Sequence, residues 1–285
     1  MPGTCHSREA PSPCRGGSLG SACRSVLMTG DPYAKVMAAR AVAREWRLGR
    51  LAHEFDVAMP DRPARGERPE LLPPARMPKR RKGGSIAHRI ALLHAIAHIE
   101  YVAIDLAVDL VGRFGGQFPR AFADDWMKVA AEEAMHFALI QRRLRQLGAA
   151  YGDLPAHDGL WEAAEATAHD AAARLAVVPL VLEARGLDVT PQMIVRLDAA
   201  GDGISSRILA RIYSDEINHV ATGMKWFESS ARDSGVTPAE QWRALVGRYF
   251  GGALKPPFND SARASAGLTP EFYASLAVPE PSAQT

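Results

Sequence analysis

This chain contains few cysteines, and their positions limit the possible folds. Cys5, Cys14 and Cys23 are the only three, and the 262 residues after Cys23 contain none. Disulfide bonds, iron–sulfur clusters and zinc sites built on cysteine are therefore excluded as the features that organise the fold. The equal spacing of nine residues between the cysteines also matches no compact metal-binding motif.

Long uncharged apolar runs are missing as well. The longest, residues 175–182, has eight residues and contains Pro179, whereas a membrane-spanning helix needs about 20. The first 28 residues are rich in Gly, Ser, Pro and Arg and lack the apolar middle of a secretory signal. Because 47% of the residues are hydrophobic, the chain has enough apolar surface for a sizeable core. These features predict a cytoplasmic protein without a membrane span.

Strand patterns are missing too, since no segment combines β-branched alternation with hairpin turns. The sequence predicts an all-α protein with a four-helix bundle and helical extensions. Residues 1–30 are predicted as a disordered tail, 31–84 as an N-terminal helix from Asp31 to about Leu51 plus a Pro/Arg-rich linker, 85–232 as the bundle, and 233–285 as short helices packed on it. The bundle helices are predicted near 85–114, 120–147, 159–185 and 190–232, with a break possible near 201–203.

Charge is unevenly distributed along the chain. Residues 1–84 carry a net charge of +8, and residues 85–285 carry −6. The positive charge is densest at residues 76–82, in Arg76, Lys79, Arg80, Arg81 and Lys82. This segment has no aromatic residues to stack on bases and follows a proline-rich stretch. We interpret it as a solvated linker, with RNA binding as the alternative.

One motif occurs twice in the whole chain. Glu133–His136 and Glu216–His219 are the two Glu-x-x-His pairs, and each follows a single glutamate, Glu100 or Glu183, by 33 residues. Residues at i and i+3 share a helix face, so a carboxylate and an imidazole can meet one metal ion. The repeat of Glu-x32-Glu-x2-His after 83 residues indicates two equivalent helix pairs.

All four glutamates lie on the apolar stripes of their helices. Buried carboxylates without partners are costly, and the apolar positions around them include no lysine or arginine. Two divalent cations would neutralise four carboxylates. Carboxylate and imidazole ligands suit iron or manganese, so the sequence predicts two Fe, two Mn or a mixed Fe/Mn pair per chain.

The motif resembles the signature of ferritin-like di-iron carboxylate proteins. More closely, HAIAHIEYVAIDLA, VPLVLEARGLDVTP and IYSDEINHVATGMKWF resemble the DUF455 family of ferritin-like proteins, and more distantly tRNA hydroxylases with the same metal site. The resemblance implies that Glu100 and Glu183 are terminal ligands and that Glu133 and Glu216 bridge the two ions. It also implies that His136 binds the first ion and His219 the second.

Three further residues are predicted beside the ligands. Glu132 and Asp215 each precede a histidine ligand by four residues and are expected to accept its other imidazole N–H. The alternative is a solvated charge at the edge of the bundle. Tyr213 lies on the Glu216 face, either beside the ligands or as a packed tyrosine with its hydroxyl hydrogen-bonded.

Three functions fit this site. The first is an O2-activating oxidase or oxygenase with an unknown organic substrate and an unknown electron donor. The second is metal handling, as a ferroxidase, iron store or peroxide scavenger. The third is a non-catalytic scaffold that binds RNA or a protein partner through residues 76–82. We favour the first.

Overall fold

The computed structural model describes residues 17–78, 85–231, 235–251 and 253–278. Within these ranges the regular secondary structure is helical, and only three isolated β-bridges occur. The all-α prediction is confirmed. The helices are α1 (Leu19–Leu27), α2 (Pro32–Arg47), α3 (Ile86–Phe114), α4 (Arg120–Gln146), α5 (Gly159–Ala166), α6 (Ala171–Val177), α7 (Ala184–Ala199), α8 (Gly203–Ala231), α9 (Pro238–Tyr249), α10 (Asp260–Ser265) and α11 (Pro270–Tyr273).

Helix α1 corrects the prediction that residues 1–30 form a disordered tail. Ser18 caps its first turn by accepting a hydrogen bond from the Ser21 N–H. Its apolar side chains recur at i, i+4, i+7 and i+8 and are fully buried against α2 and α3: Leu19, Cys23, Val26 and Leu27. This spacing is a helical stripe, but the surrounding Gly and Ser residues obscured it. Residues 1–16, with Cys5 and Cys14, lie outside the described residues.

The first three long helices begin where the capping signals predicted, but α2 ends at Arg47, about one turn before the predicted Leu51. Asp31 caps α2, and Ser85 caps α3. Helix α3 ends at Gly115, and Pro119 precedes α4. The linker after α2 is mostly without helix, as expected, although it includes the 3-10 turn Pro74–Arg76. Of its basic segment, residues 79–82 lie outside the described residues.

The boundary predicted between the third and fourth bundle helices is wrong. Helix α7 continues through Gly186 and Pro191, and α8 begins at Gly203. Gly201 adopts φ +73°, the left-handed conformation that ends a helix, and the described glycines with positive φ do not include Gly186. The third segment is also interrupted, because Asp170 caps a new helix, α6.

The long helices pack as a bundle with α3 against α4, α7 against α8, and α4 against α8. Helix α2 covers α4, and α9 packs on α6. Trp242 of α9 is fully buried, and its indole N–H donates to the Ala176 carbonyl at 3.1 Å. The N-terminal and C-terminal helices therefore pack on the bundle, as predicted.

Helix α3 with its 3-10 extension, Ile86–Gln117, has the length and mean hydropathy of a membrane span over an 18-residue window. The criterion of unbroken uncharged runs did not detect it, because charged residues interrupt the apolar sequence. Inside the protein 67% of that window is buried, and Glu100, Asp105 and Asp109 of α3 are buried with it. These features are those of a central helix of the bundle.

Candidate metal centre

The six residues of the repeated motif come from the four long segments of the bundle. Glu100 lies in the middle of α3, Glu133 and His136 in α4, and Glu216 and His219 in α8. Glu183 is the last residue of a π-helical segment, Val178–Glu183, which leads into α7. Glu100, Glu133, His136 and His219 are buried, whereas Glu183 and Glu216 are half-buried.

Four of these residues meet closely enough to share one ion. Glu100, Glu133, His136 and Glu216 each offer a ligand atom, and these atoms lie within 4.8 Å of one another. His136 Nδ1 is 3.1 Å from Glu100 Oε2. This buried group could hold a metal ion, because carboxylate oxygens and an imidazole nitrogen converge on one point.

Glu133 and Glu216 stand between the two histidines. One oxygen of Glu133 lies 3.4 Å from His136 Nδ1, and the other lies 3.0 Å from His219 Nδ1. Oε1 of Glu216 lies 3.8 Å from His136 Nδ1 and 3.5 Å from His219 Nδ1. The two carboxylates predicted to bridge are thus placed between the two halves of the motif.

Glu183, the last residue of the π-helical segment, is not one of these four, but it lies close enough to Glu216, Glu133 and His219 to be affected by their charges. Pro179 lacks an N–H and cannot continue an α-helical hydrogen-bond pattern, and the chain widens into a π-helix around it. Such segments often occur at functional sites. A Cβ built on Gly223 of α8 would lie 2.5 Å from Pro179 Cβ, so α8 approaches the segment closely because residue 223 has no side chain.

The histidines take their outer partners from the opposite helix. His219 Nε2 lies 3.0 Å from Glu132 Oε2, and His136 Nε2 lies 3.1 Å from Asp215 Oδ2. Glu132 and Asp215 were predicted to serve the histidine four residues later on their own helix, and this pairing is wrong. Residues at i and i+4 share a face, but here α4 and α8 face each other, so each carboxylate reaches across.

Tyr213 is not among the residues that these contacts bring together. Its hydroxyl accepts a hydrogen bond from Asn259 Nδ2 at 2.9 Å. Asn259 itself precedes α10 and caps its first turn. The contact described for the Tyr213 hydroxyl is therefore with the C-terminal region, which fits the packed-tyrosine alternative.

Burial and the charges within the cluster strongly shift the pKa values of its side chains. Burial raises the pKa of Glu183 to about 8, and the negative charges of Glu216 and Glu133 add to this effect. Burial and Glu133 also raise the pKa of Glu100 well above its usual range. Burial acts against the charged form of His136, but hydrogen bonds and charges from Glu100 and Glu133 outweigh it and raise its pKa to about 11.

The pKa of Glu133 is lowered, whereas the pKa of His219 is raised. Burial would raise the pKa of Glu133, but the positive charges of His219 and His136 beside it hold that pKa below its usual range. Burial would lower the pKa of His219, but Glu216, Glu133 and Glu132 raise it well above its ordinary value. Cations in the cluster are thus strongly favoured by the surrounding carboxylates.

Unpartnered polar atoms test whether a metal fits here. Among the described residues, Glu133 Oε2, Glu183 Oε2 and His219 Nδ1 are buried without a hydrogen-bond partner. Although His219 Nδ1 is only 3.0 Å from Glu133 Oε1, the pair does not have hydrogen-bond geometry. Buried polar atoms normally find partners, and carboxylate oxygens and a deprotonated imidazole nitrogen can serve as metal ligands. The residues present therefore fit a bound cation.

The sequence analysis missed a buried ionic network that begins five residues after Glu100. Asp105 pairs with Lys35 at 2.7 Å and with Arg65, and Asp109 pairs with Arg174 at 2.6 Å. Both aspartates are fully buried and follow Glu100 at i+5 and i+9. Their partners come from distant parts of the chain, so no local pattern predicted them.

His94 and His98, which lie four residues apart on α3, are buried. His94 Nε2 accepts the Gly152 N–H at 2.9 Å, and His98 Nδ1 lies 2.9 Å from the Tyr151 hydroxyl. Both rings therefore pack against the loop after α4, and they are not part of the metal cluster.

Comparison with known proteins identifies the family. The family model described as "Protein of unknown function (DUF455)" matches residues 28–274. The chain belongs to the DUF455 family. An uncharacterized protein of Haemophilus influenzae (strain ATCC 51907 / DSM 11121 / KW20 / Rd) is 42% identical over 209 residues, which cover 71% of this chain and 72% of that protein. No solved structure matches the chain.

The match confirms the DUF455 resemblance drawn from the sequence. The matched range contains all six motif residues, together with α2 and the helices α9 and α10. The ferritin-like relationship stays a prediction based on the motif and the helical bundle.

Proposed function

We propose that this DUF455 protein holds two divalent iron or manganese ions, or one of each, and catalyses an O2-dependent oxidation of an organic substrate. The observation that carries the proposal is the position of Glu133 and Glu216 between His136 and His219. Two carboxylates in that position can each contact two ions, which a single-metal site does not require.

Charge balance supports two ions rather than one. Glu100, Glu133, Glu183 and Glu216 carry four negative charges when ionised, and two divalent cations neutralise them. Glu100 and His136 would hold the first ion at one side, and Glu183 and His219 the second. An ionised carboxylate left unpaired in this apolar setting would be strongly destabilising.

Iron held mainly by carboxylates supplies the capacity to reduce O2 when both ions are ferrous. Apolar side chains of the chain surround the centre. Phe137, Ile140 and Val220 are fully buried on the helices that carry the ligands. Apolar side chains of this kind limit the access of water to the centre. An external electron donor is required for the reaction and forms part of the proposal.

Metal analysis tests the proposal directly. Protein expressed with ample iron and manganese should contain about two of these ions per chain, and the reduced iron form should consume O2. Glu133→Ala and Glu216→Ala should lose most of the metal, whereas Glu228→Ala, an exposed acid of α8, should keep it. Absence of both metals from the purified wild-type protein would contradict the proposal. Iron uptake into a large multi-subunit shell would favour the storage alternative.

A further inference from the structure

A large groove runs along one side of the bundle, between α2 and α4, and reaches α8 at Arg211. Its volume is about 1060 Å3, at the upper end of the range for small-molecule sites. Helix α4 lines it from Arg120 to Glu132 and on to Met135, a length of roughly 22 Å at 1.5 Å per residue. The groove is thus long enough for an extended ligand.

The groove presents an apolar surface along much of this length. Its accessible apolar side chains are those of Met37, Ala41, Ala43, Ala131 and Met135, and the buried Trp46 and Met127 form its floor. Met37 is 46% exposed and lies at the open side of the groove. Methionine side chains are flexible and adapt to ligands of varied shape.

Cationic side chains surround the apolar surface. Six cationic side chains line the groove, compared with two carboxylates, those of Asp124 and Glu132. The six are Arg40, Arg44, Arg47, Arg120, Lys128 and Arg211. Arg40, Arg44 and Arg47 lie on one face of α2 and are exposed. In the part of the chain that the structure describes, no residue hydrogen-bonds or forms an ion pair with their guanidinium groups. The groove therefore carries an excess of four positive charges, and three of its arginines are free to bind an anion.

We propose that this groove binds an amphiphilic anion, a single molecule with an apolar body and a phosphate or carboxylate head group. The apolar surface would take the body of the ligand, and the arginines of α2 would take its head group, because guanidinium groups match the geometry of both anions. The charge of the groove excludes cationic ligands, and its apolar lining distinguishes it from a site for small inorganic anions.

The groove is also connected to the histidines of the cluster. Glu132 lines the groove and contacts His219 Nε2 at 3.0 Å. Arg211 lines it too, and its Nε donates to Asp215 Oδ2 at 2.7 Å, while the same oxygen lies 3.1 Å from His136 Nε2. A ligand that contacts Glu132 therefore touches a direct partner of His219, and one that contacts Arg211 reaches His136 through Asp215. This second part of the inference, which makes the ligand the substrate class of the centre, rests on the proposed function.

Calorimetric titration of the full chain, with metals removed by chelation, tests the groove by itself. Octyl phosphate and octanoate should bind, while octanol, octyltrimethylammonium and inorganic phosphate should bind at least tenfold more weakly. Lengthening the alkyl phosphate from hexyl to decyl should tighten binding about two- to fourfold per CH2. Equal binding of octanol, or tighter binding of inorganic phosphate, would overturn the proposal.

Matched arginine variants locate the site. The triple variant Arg40→Gln, Arg44→Gln, Arg47→Gln should bind octyl phosphate at least tenfold more weakly. The control triple variant Arg142→Gln, Arg145→Gln, Arg196→Gln removes the same charge from exposed positions outside the groove and should bind within twofold of the wild type. Equal losses in the two variants would overturn the assignment. Tighter binding of a single-stranded RNA oligonucleotide, lost only in the first triple variant, would replace the amphiphile with a nucleic acid.

Visible absorption spectroscopy tests the connection between the groove and the metal centre. Co2+-loaded wild-type protein should change its visible absorption bands on saturation with octyl phosphate and remain unchanged with octanol. Unchanged bands at saturation would overturn the connection while the binding site stands. Failure of the protein to take up Co2+, Fe2+ or Mn2+ would count against the proposed metal centre, and the titration of metal-free protein would still decide the groove.

Discussion

His219 takes its outer hydrogen-bond partner from the opposite helix: its Nε2 lies 3.0 Å from Glu132 Oε2, although Glu132 belongs to α4. The same exchange joins His136 to Asp215 of α8. Each Glu-x-x-His helix therefore orients the imidazole of the other. A carboxylate on one nitrogen of an imidazole fixes its tautomer, so that the other nitrogen is available to a metal.

Removing these crossed contacts should weaken metal binding. Glu132→Gln and Asp215→Asn keep the size of each side chain and remove its charge, and each should lower metal affinity by about 10- to 100-fold. Competition with a chelator of known affinity measures the change. The control variant Glu228→Gln should bind like the wild type, and an unchanged affinity in both test variants would show that the crossed contacts do not orient the ligands.

Metal affinity should rise steeply with pH. The pKa of His136 is raised to about 11 and that of Glu183 to about 8, so both side chains hold protons near pH 7 before a cation enters. Ligands must lose their protons to bind a metal. Between pH 6 and 8 the affinity should therefore increase at least tenfold per pH unit. Calorimetry in buffers of different ionisation enthalpy counts the released protons, and a count of zero would contradict this expectation.

Glu183→Gln should stabilise the metal-free protein, prepared by chelation, at neutral and alkaline pH. The folded state raises the pKa of Glu183 above the unfolded value, so the folded state binds more protons between about pH 4.5 and 8. Stability then falls as pH rises through that window, by at most about 1.4 kcal/mol per pH unit from this group. Glutamine lacks this titration, and its variant should lose less stability in urea unfolding measured from pH 5 to 8.

With metal added the order of stability should reverse. A ligand present at a hundredfold its dissociation constant stabilises the folded protein by about 2.7 kcal/mol, and the Glu183→Gln variant should gain less because it binds more weakly. If the variant and wild type gain equally, Glu183 is not a ligand.

Gly223→Ala tests the π-helical segment. The added Cβ would meet Pro179 Cβ at 2.5 Å, and accommodating it should cost about 1–3 kcal/mol of stability and weaken metal binding by displacing Glu183. Gly247→Ala in α9 is the matched control, since nothing lies within 4 Å of its Cβ position. That substitution should stabilise the protein by about 0.5–1 kcal/mol. Equal stability of the two variants in thermal unfolding would show that Pro179 leaves room for a side chain at residue 223.

The all-α fold and most helix ends could be predicted because the signals are local. Asp31 and Ser85 cap helices with their own side chains, and the 3.6-residue periodicity predicted the buried faces. The start of α8 was predicted only as a possible break near residues 201–203, while the main boundary was placed after Gly186. Gly186 and Gly201 are both credible stop signals, and the backbone conformation that selects Gly201 depends on how α7 packs.

The sequence alone determined which side chains form the candidate centre, because the repeat of Glu-x32-Glu-x2-His fixes their helices and faces. Only the tertiary structure decided that the outer partners cross between α4 and α8, that Pro179 opens a π-helix before Glu183, and that the arginines of α2 line a groove beside the cluster. Helical periodicity is set by the geometry of one chain segment, whereas the partner that a side chain meets is set by the distance and orientation of another helix.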